Sequence, residues 1–443
     1  MKWLKAKVWL ALAMVAAAGP AVAGVEMVSP QEGAELSGQV EVTARVVAPK
    51  GERLERVVVQ GQTGEQVRLA PTRPDTYSAT LDTSKLPNGR QPLLVIASVK
   101  GADASSTRPA ENAWESQKRT FMAAVTVVVR NPYGFFWGDL HAHTSYSDGS
   151  LLPADAYEYA RDRARIDFFA VTDHSQQLTF DEYADVIAQA DRFDQPGRFV
   201  ALHGAESTEE TGHLCFYLSP TPRLPSGRDE IYQVLGRMHL LGHFNHPSVT
   251  ANPKQDWKDD FEGFHYAPTA DQSMALVEVR NLAEEAAYIA MLNAGWHVGA
   301  AGCEDHHEAK WGSGPTWTVV LARELTREAI LDALWSRRAY SAADRNLRLT
   351  FTLDGEDMGA QVARRAGRVD CVVIAEDPDA GDAIDSIDLF LDGRLVETVR
   401  PKLRKYAWAV PVSLTAGRHY CFVRVTQAGG RMSWSSPVWV SAH

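Results

Sequence analysis

Cysteine is scarce in this chain, with four among 443 residues. Four are too few for a disulfide scaffold at this length, and with no C-x-x-C spacing Cys215 and Cys303 read as small core residues rather than metal ligands. Positive charge is also short. Lys and Arg number 45 against 56 Asp and Glu, for a formal charge of −11. Such an acidic chain is not built to bind nucleic acid through its phosphate backbone. Long hydrophobic runs are missing too. The apolar stretch Val8 to Ala18 falls short of the roughly 20 residues that a membrane span needs, and no second run of that length follows.

What stands at the start has the form of an export leader. Lys2, Lys5 and Lys7 precede the apolar run, and Ala21-Val22-Ala23 makes a small-residue cleavage site before Gly24. Residues 1–23 are therefore expected to be a signal peptide, and the mature protein to be periplasmic or extracellular. Loss of the three lysines takes the formal charge from −11 to −14.

Three blocks follow. Residues 24–130 read as an Ig-like β-sandwich, since Val40, Val42, Ala44 and Val46 alternate with polar residues. Residues 131–343 alternate strand-like and helix-like runs. Phe168–Val171 and Ala275–Val279 are short buried strands, and Pro153–Ala164, Phe180–Phe193, Ala283–Asn293 and Glu324–Arg337 are helical in pattern. Repeated β-α units imply a parallel sheet or barrel that works at its C-terminal strand ends. Residues 346–443 return to alternation, with Asp-Gly hairpin signals at 354–355 and 392–393. This block reads as a second β-sandwich, and its aromatics (Trp408, Tyr420, Phe422, Trp434, Trp439) as core. Cys371 and Cys421 both fall on apolar faces there, either as a disulfide or as two buried thiols.

Twelve of the fourteen histidines lie between His141 and His307. In Gly138-Asp139-Leu140-His141-Ala142-His143, the two imidazoles are two apart and share one face of an extended chain. Such a pair can hold a divalent ion, and Asp148 can add a hard oxygen ligand. Four further clusters follow short apolar runs. They are Asp173-His174, Glu206 with His213, His243-Phe244-Asn245-His246, and Glu304-Asp305-His306-His307. If the last is extended, Glu304 and His306 share a side. Imidazole and carboxylate ligands suit Zn, Mn or Fe.

At these points the chain resembles the PHP (polymerase and histidinol phosphatase) metal-dependent hydrolases, over roughly residues 136–310. The stretches G-D-L-H-A-H-T-S-Y-S-D-G, V-T-D-H and N-H-P carry the resemblance. The exported form with flanking β domains is most similar to the CehA/McbA-type branch. That resemblance implies a distorted (β/α)7 barrel with two or three divalent ions at its C-terminal strand ends. It places His141, His143, Asp148, His174, Glu206, His213, His246, Glu304 and His306 at ligand positions. The family's last motif reads G-S-D-x-H. Here Glu304 stands where Asp is usual, so either Glu304 or Asp305 supplies the final carboxylate. His243 is the rival of His246, and His203 and His307 read as structural.

Asp173 is expected to orient an imidazole. Arg280 and Asn281 follow the strand at 275–279 and can face the site, where Arg280 would grip an anionic group. The expected function is an exported hydrolase that uses a metal-bound hydroxide on a small-molecule substrate, an anionic one included. Phosphoester hydrolysis leads, and carbamate, amide or carboxylic ester hydrolysis is the alternative. A third reading, of another class, is a surface-binding protein that holds metal without catalysis. The oligomeric state is open.

Overall fold

The computed structural model describes residues 23–61, 64, 66–86, 89–101, 119–129, 131–249 and 259–443. The leader expected over 1–23 lies outside them except for Ala23. Among the described residues no helix is long and apolar enough to cross a membrane. The chain is multidomain and mostly β, with few helices. It forms two compact units, 1–132 and 133–443.

In the first unit, strands Gly24–Ser29, Gln39–Val47, Ala70–Arg73 and Thr76–Asp82 form one sheet. A second sheet is built around Glu52–Gln60, Gly89–Gly101 and Arg119–Val129. Period-two alternation aims Val42, Ala44 and Val46 from the first sheet, and Val57, Val59, Leu93 and Val95 from the second, into one core.

The second unit opens with strand β1 (Gly134–Asp139) and helix α1 (Pro153–Tyr159). Then come β2 (Phe168–Val171), α2 (Phe180–Phe193), β3 (Val200–Glu209), β4 (Gly212–Tyr217) and α3 (Arg228–Met238). After these follow β5 (Leu241–Phe244), β6 (Met274–Glu278), α4 (Leu282–Ala294), β7 (Gly299–Ala301), β8 (Trp317–Ala322), α5 (Arg327–Trp335) and β9 (Ala339–Ala342). The hydrogen-bonded order is β7-β6-β5-β4-β3-β2-β1-β8-β9. β1 to β3 run parallel, as do β5 to β7, while β4 is antiparallel to both its neighbours. The β-α alternation expected of 131–343 is thus only partly followed. β3 turns into β4 through a tight hairpin at Glu209–Gly212 with no helix. A single bridge between Ala142 and His306 joins the segments that follow β1 and β7.

Helix starts follow from local chemistry. Thr179 caps α2. Its hydroxyl accepts from the Glu182 N–H at 3.2 Å, and the Glu182 carboxylate accepts from the Thr179 N–H at 2.8 Å. This reciprocal pair satisfies two otherwise orphaned donors and contributes about 1 kcal/mol.

Patterning sets 346–443 apart from the middle block, but the structure joins the two in one unit. β9 pairs with Met432–Ser435, so one sheet of the C-terminal sandwich continues the β1–β9 sheet. Phe422, Trp434 and Trp439 are buried in the same core as Tyr288 of α4. The Trp434 indole N–H donates to Glu285 at 2.6 Å. These aromatics are core rather than a binding platform. Cys371 and Cys421 are free, buried thiols that face each other across the sandwich interior.

Candidate metal centre

Most of the chemistry collects at one edge of the sheet. His141 and His143 follow β1, His174 follows β2, and Glu206 lies in β3. His213 starts β4, which runs antiparallel and so begins at that same edge. His246 follows β5, Glu278 ends β6, and Asp305 and His307 follow β7.

Glu206 is the hub. It is 1% exposed, and its Oε1 lies 3.2 Å from both His141 Nε2 and His213 Nδ1. Its Oε2 lies 2.9 Å from His174 Nδ1 and 3.4 Å from His143 Nε2. Burial works to raise this carboxyl, but the His141, His174 and His213 imidazoles hold it well below the usual carboxylate range. Potential ligand atoms cluster in three adjoining groups. They are His143, Asp148, His174 and His307; His141, His143 and Glu206; and Glu206, His213 and His246. His143 and Glu206 each belong to two groups, so the groups form one continuous cluster.

The donors fit divalent ions on hydrogen-bonding grounds. The His141 Nδ1–H is taken by the Glu278 carboxylate at 2.9 Å. His143 Nδ1 faces the Ser147 hydroxyl at 3.3 Å, and that hydroxyl gives its own proton to Asp173 at 2.6 Å. In that tautomer each ring nitrogen facing inward is an Nε2 able to offer its lone pair to a cation, and the two lie only 3.2 Å apart. Asp305 Oδ1 sits 3.0 and 3.2 Å from these same atoms. Glu206 Oε2 and Asp305 Oδ1 are buried oxygens faced by imidazole nitrogens. Lone pairs and carboxylate oxygens crowded together in a low-dielectric interior repel each other unless cations lie between them.

Six expected ligands (His141, His143, Asp148, His174, Glu206 and His213) are in the cluster, and His246 completes its far side. Glu304 and His306 are not. The Glu304 carboxylate accepts from the Thr316 N–H at 2.8 Å and from the Thr316 hydroxyl. Gly314 makes room for it, since a Cβ there would lie 2.1 Å from the Glu304 carboxyl carbon. His306 contributes its backbone instead, with its carbonyl accepting from the His143 N–H at 2.8 Å. Their places are taken by Asp305 and by His307, whose Nε2 is 3.2 Å from Asp148. Asp305 has φ of 54°, a left-handed residue that breaks the extended run and shifts the inward face by one position.

Of the expected catalytic residues, Asp173 reaches an imidazole through Ser147, whereas Arg280 and Asn281 serve other partners. Asp173 is 0% exposed and accepts from the Ser147 hydroxyl that faces His143 Nδ1. It also accepts from the Thr144 N–H and hydroxyl, both at 2.6 Å, and so pins the loop after the H-x-H pair. Gly149 lets that loop fold back, since a Cβ there would meet the His143 carbonyl carbon at 2.5 Å. Arg280 does not face the cleft. Its guanidinium is held by Glu284 at 2.8 Å, by the Cys303 carbonyl at 3.3 Å and by Glu278 at 3.4 Å. Asn281 lines the cleft, but its carbonyl oxygen caps α4 by accepting from Ala283 and Glu284.

Two supporting residues were not anticipated. Glu278 is fully buried, and besides His141 it accepts from the His246 N–H at 2.7 Å. Asn245 donates to Glu206 at 2.6 Å, with its carbonyl fixed by the Cys215 N–H. The signal for Glu278 was a lone carboxylate ending an otherwise apolar strand. For Asn245 it was the place beside His246 in N-H-P. The cluster opens into a cleft of about 530 Å³ bordered by Asp148, His174, Asp259, Asn281, Glu284 and His307.

No protein-family model matches the chain. An uncharacterized protein of Chlamydia muridarum is 23% identical over 363 residues, which is 69% of this chain and 57% of that protein. One of Chlamydia trachomatis is 23% identical over 360 residues, with the same shares. The chain thus spans less than two thirds of the length of these curated relatives. Among solved structures, a two-domain protein from Bacteroides vulgatus is described as containing a predicted PHP-like metal-dependent phosphoesterase. It matches 69% of this chain and 95% of its own, with 16% identity and a TM-score of 0.40.

Proposed function

We propose that this chain is an exported metal-dependent hydrolase of the PHP type, and that its cleft holds two or three divalent ions and cleaves phosphate esters of small molecules. One observation carries the reading. Three adjoining donor groups share His143 and Glu206 and face an open cleft. A purely structural metal site is closed, whereas a catalytic one keeps room for substrate. The Ala142–His306 bridge supports a distorted (β/α)7 barrel as the underlying fold.

When bound, such ions would acidify a coordinated water and polarise the P=O or C=O under attack. The residues of the chain would hold and orient. His143, Asp148, His174 and His307 face one position, and Glu206, His213 and His246 another. His141 and Asp305 lie between them. Glu278 keeps the His141 proton on Nδ1, and the Asp173–Ser147 pair does the same for His143, so both Nε2 atoms stay available.

A second reading has its own support. No Lys or Arg borders the cleft among the described residues, and Arg280 is turned away. That favours an uncharged carbamate, amide or carboxylic ester. The test is a panel of phosphate monoesters, phosphodiesters, carbamates and carboxylic esters, run on the metal-loaded chain and on His143→Ala. Turnover of phosphate esters that is lost together with metal in His143→Ala upholds the first reading. Turnover confined to the neutral substrates supports the second. Metal binding with no turnover in the panel would leave a metal-holding binding protein, and full metal content in His143→Ala would overturn the site.

A further inference from the structure

Behind the cleft cluster lies a group that the proposed chemistry does not use. His243 in β5, Glu278 at the end of β6 and Cys303 just after β7 come from three consecutive strands of the sheet. All three are 0% exposed, and one ligand atom from each lies within 4.8 Å of the others.

One buried ring nitrogen there, His243 Nε2, has no hydrogen-bond partner. The Tyr217 hydroxyl donates to the Leu140 carbonyl at 2.9 Å, so its one proton is spent. With that proton on Leu140, the 3.0 Å contact with His243 Nδ1 is an N–H donated by the imidazole, and in this tautomer Nε2 is a bare lone pair. It points at Glu278 Oε1, 3.9 Å away. A lone pair facing a carboxylate oxygen in a dry interior is repulsive unless something positive stands between them. The Cys303 thiol bonds the Thr318 hydroxyl at 3.6 Å, and since that hydroxyl donates to the Gly302 carbonyl, the thiol is the donor and its sulfur lone pairs remain free. Glu278 Oε1 accepts only from His141, so one of its lone pairs remains.

We propose that His243, Glu278 and Cys303 form a second, fully buried site for one divalent ion of the zinc class, distinct from the cleft cluster. Imidazole, thiolate and carboxylate together are a borderline-soft ligand set that suits zinc. Two metal bonds of about 2.0–2.1 Å at a tetrahedral angle span about 3.4 Å. The 3.9 Å gap therefore needs a contraction of only about half an ångström. Charge also balances. Glu278 and Glu284 surround the single guanidinium of Arg280 and leave one negative charge over. A divalent ion with the Cys303 thiolate adds one positive charge. The site would lie one layer beneath His141 and be tied to it through the shared Glu278 carboxylate.

The chain's own spectroscopy tests this. The cleft groups offer only nitrogen and oxygen donors, so a thiolate-to-cobalt charge-transfer band reports the buried site alone. The full chain is produced in cobalt-supplemented minimal medium, because a closed site must fill as the protein folds. The expected result is a near-ultraviolet charge-transfer band that persists in His143→Ala and in Cys215→Ser. Cys303→Ser should lose the band together with one equivalent of cobalt. Should Cys303→Ser fail to fold, His243→Gln takes its place with the same expected loss. A cobalt-loaded wild-type chain without the band overturns the proposal, as does a band that vanishes in Cys215→Ser instead. Because the band is read without substrate, failure of the hydrolase reading leaves this result standing.

Discussion

Asp305→Asn and Glu304→Gln should separate two adjacent carboxylates that differ only in where the backbone aims them. Asp305 Oδ1 lies 3.0 Å from His143 Nε2 and 3.2 Å from His141 Nε2. Removing a partner that merely orients a ligand typically costs 10–100-fold in metal affinity. Loss of a carboxylate aimed at the ion should therefore cost at least about 100-fold, or about 2.7 kcal/mol. Glu304 instead spends its carboxylate on Thr316. A glutamine carbonyl can still accept both of those bonds and forfeits only the charge assistance, about 1 kcal/mol of stability. In a unit of this size that lowers the melting temperature by about 2 °C. The assay is metal per chain after dialysis against graded chelator, with a thermal melt of each variant. Asp305→Asn should release metal at far lower chelator concentration, while Glu304→Gln keeps wild-type content and melts slightly earlier. The opposite pattern, with metal lost in Glu304→Gln and kept in Asp305→Asn, would refute the shifted register at Asp305.

Glu278→Gln should weaken cleft metal binding by 10–100-fold, because the tautomer of His141 is no longer enforced; unchanged affinity by chelator competition would remove that role. Arg280→Ala leaves Glu278 and Glu284 without their cation and should destabilise the unit by about 3–5 kcal/mol. Turnover of charged and neutral substrates should then fall by the same factor, and a selective loss on phosphate esters with an unchanged melt would return Arg280 to the substrate. Burial holds the His203 imidazole down to about 4. Below about pH 6.5 the unfolded chain takes up a proton that the folded chain refuses. Stability is therefore intact above that pH, falls between about 6.5 and 4, and levels off below, by up to about 3 kcal/mol. His203→Phe should flatten this slope in melts of chelator-treated protein, and parallel slopes in the two chains would contradict the assignment.

What the sequence could reveal depended on how local each cause is. The H-x-H pair was legible because two residues along an extended chain share a face whatever surrounds them. The helical pattern of Phe180–Phe193 was legible for the same reason, since its periodicity is contained within the segment. The far corner was not legible, because its geometry is set from outside the motif. Thr316, twelve residues on, captures Glu304, and the left-handed φ of Asp305 then reverses the alternation that period-two reasoning assumes. The place of Glu278, rather than Arg280, beside the cluster has a similar origin. A charged residue after a buried strand looks free to face a ligand until a helix supplies a partner, and Glu284 is one turn into α4. The same physics argues that the exposed end of the cluster is the part to distrust in sequence reasoning. Buried groups such as His141 and Glu206 have few partners within reach, so their identity constrains their position. Asp148, nearly half exposed, lies 3.7 Å from His143, 3.5 Å from His174 and 3.2 Å from His307, so no single partner dictates its place.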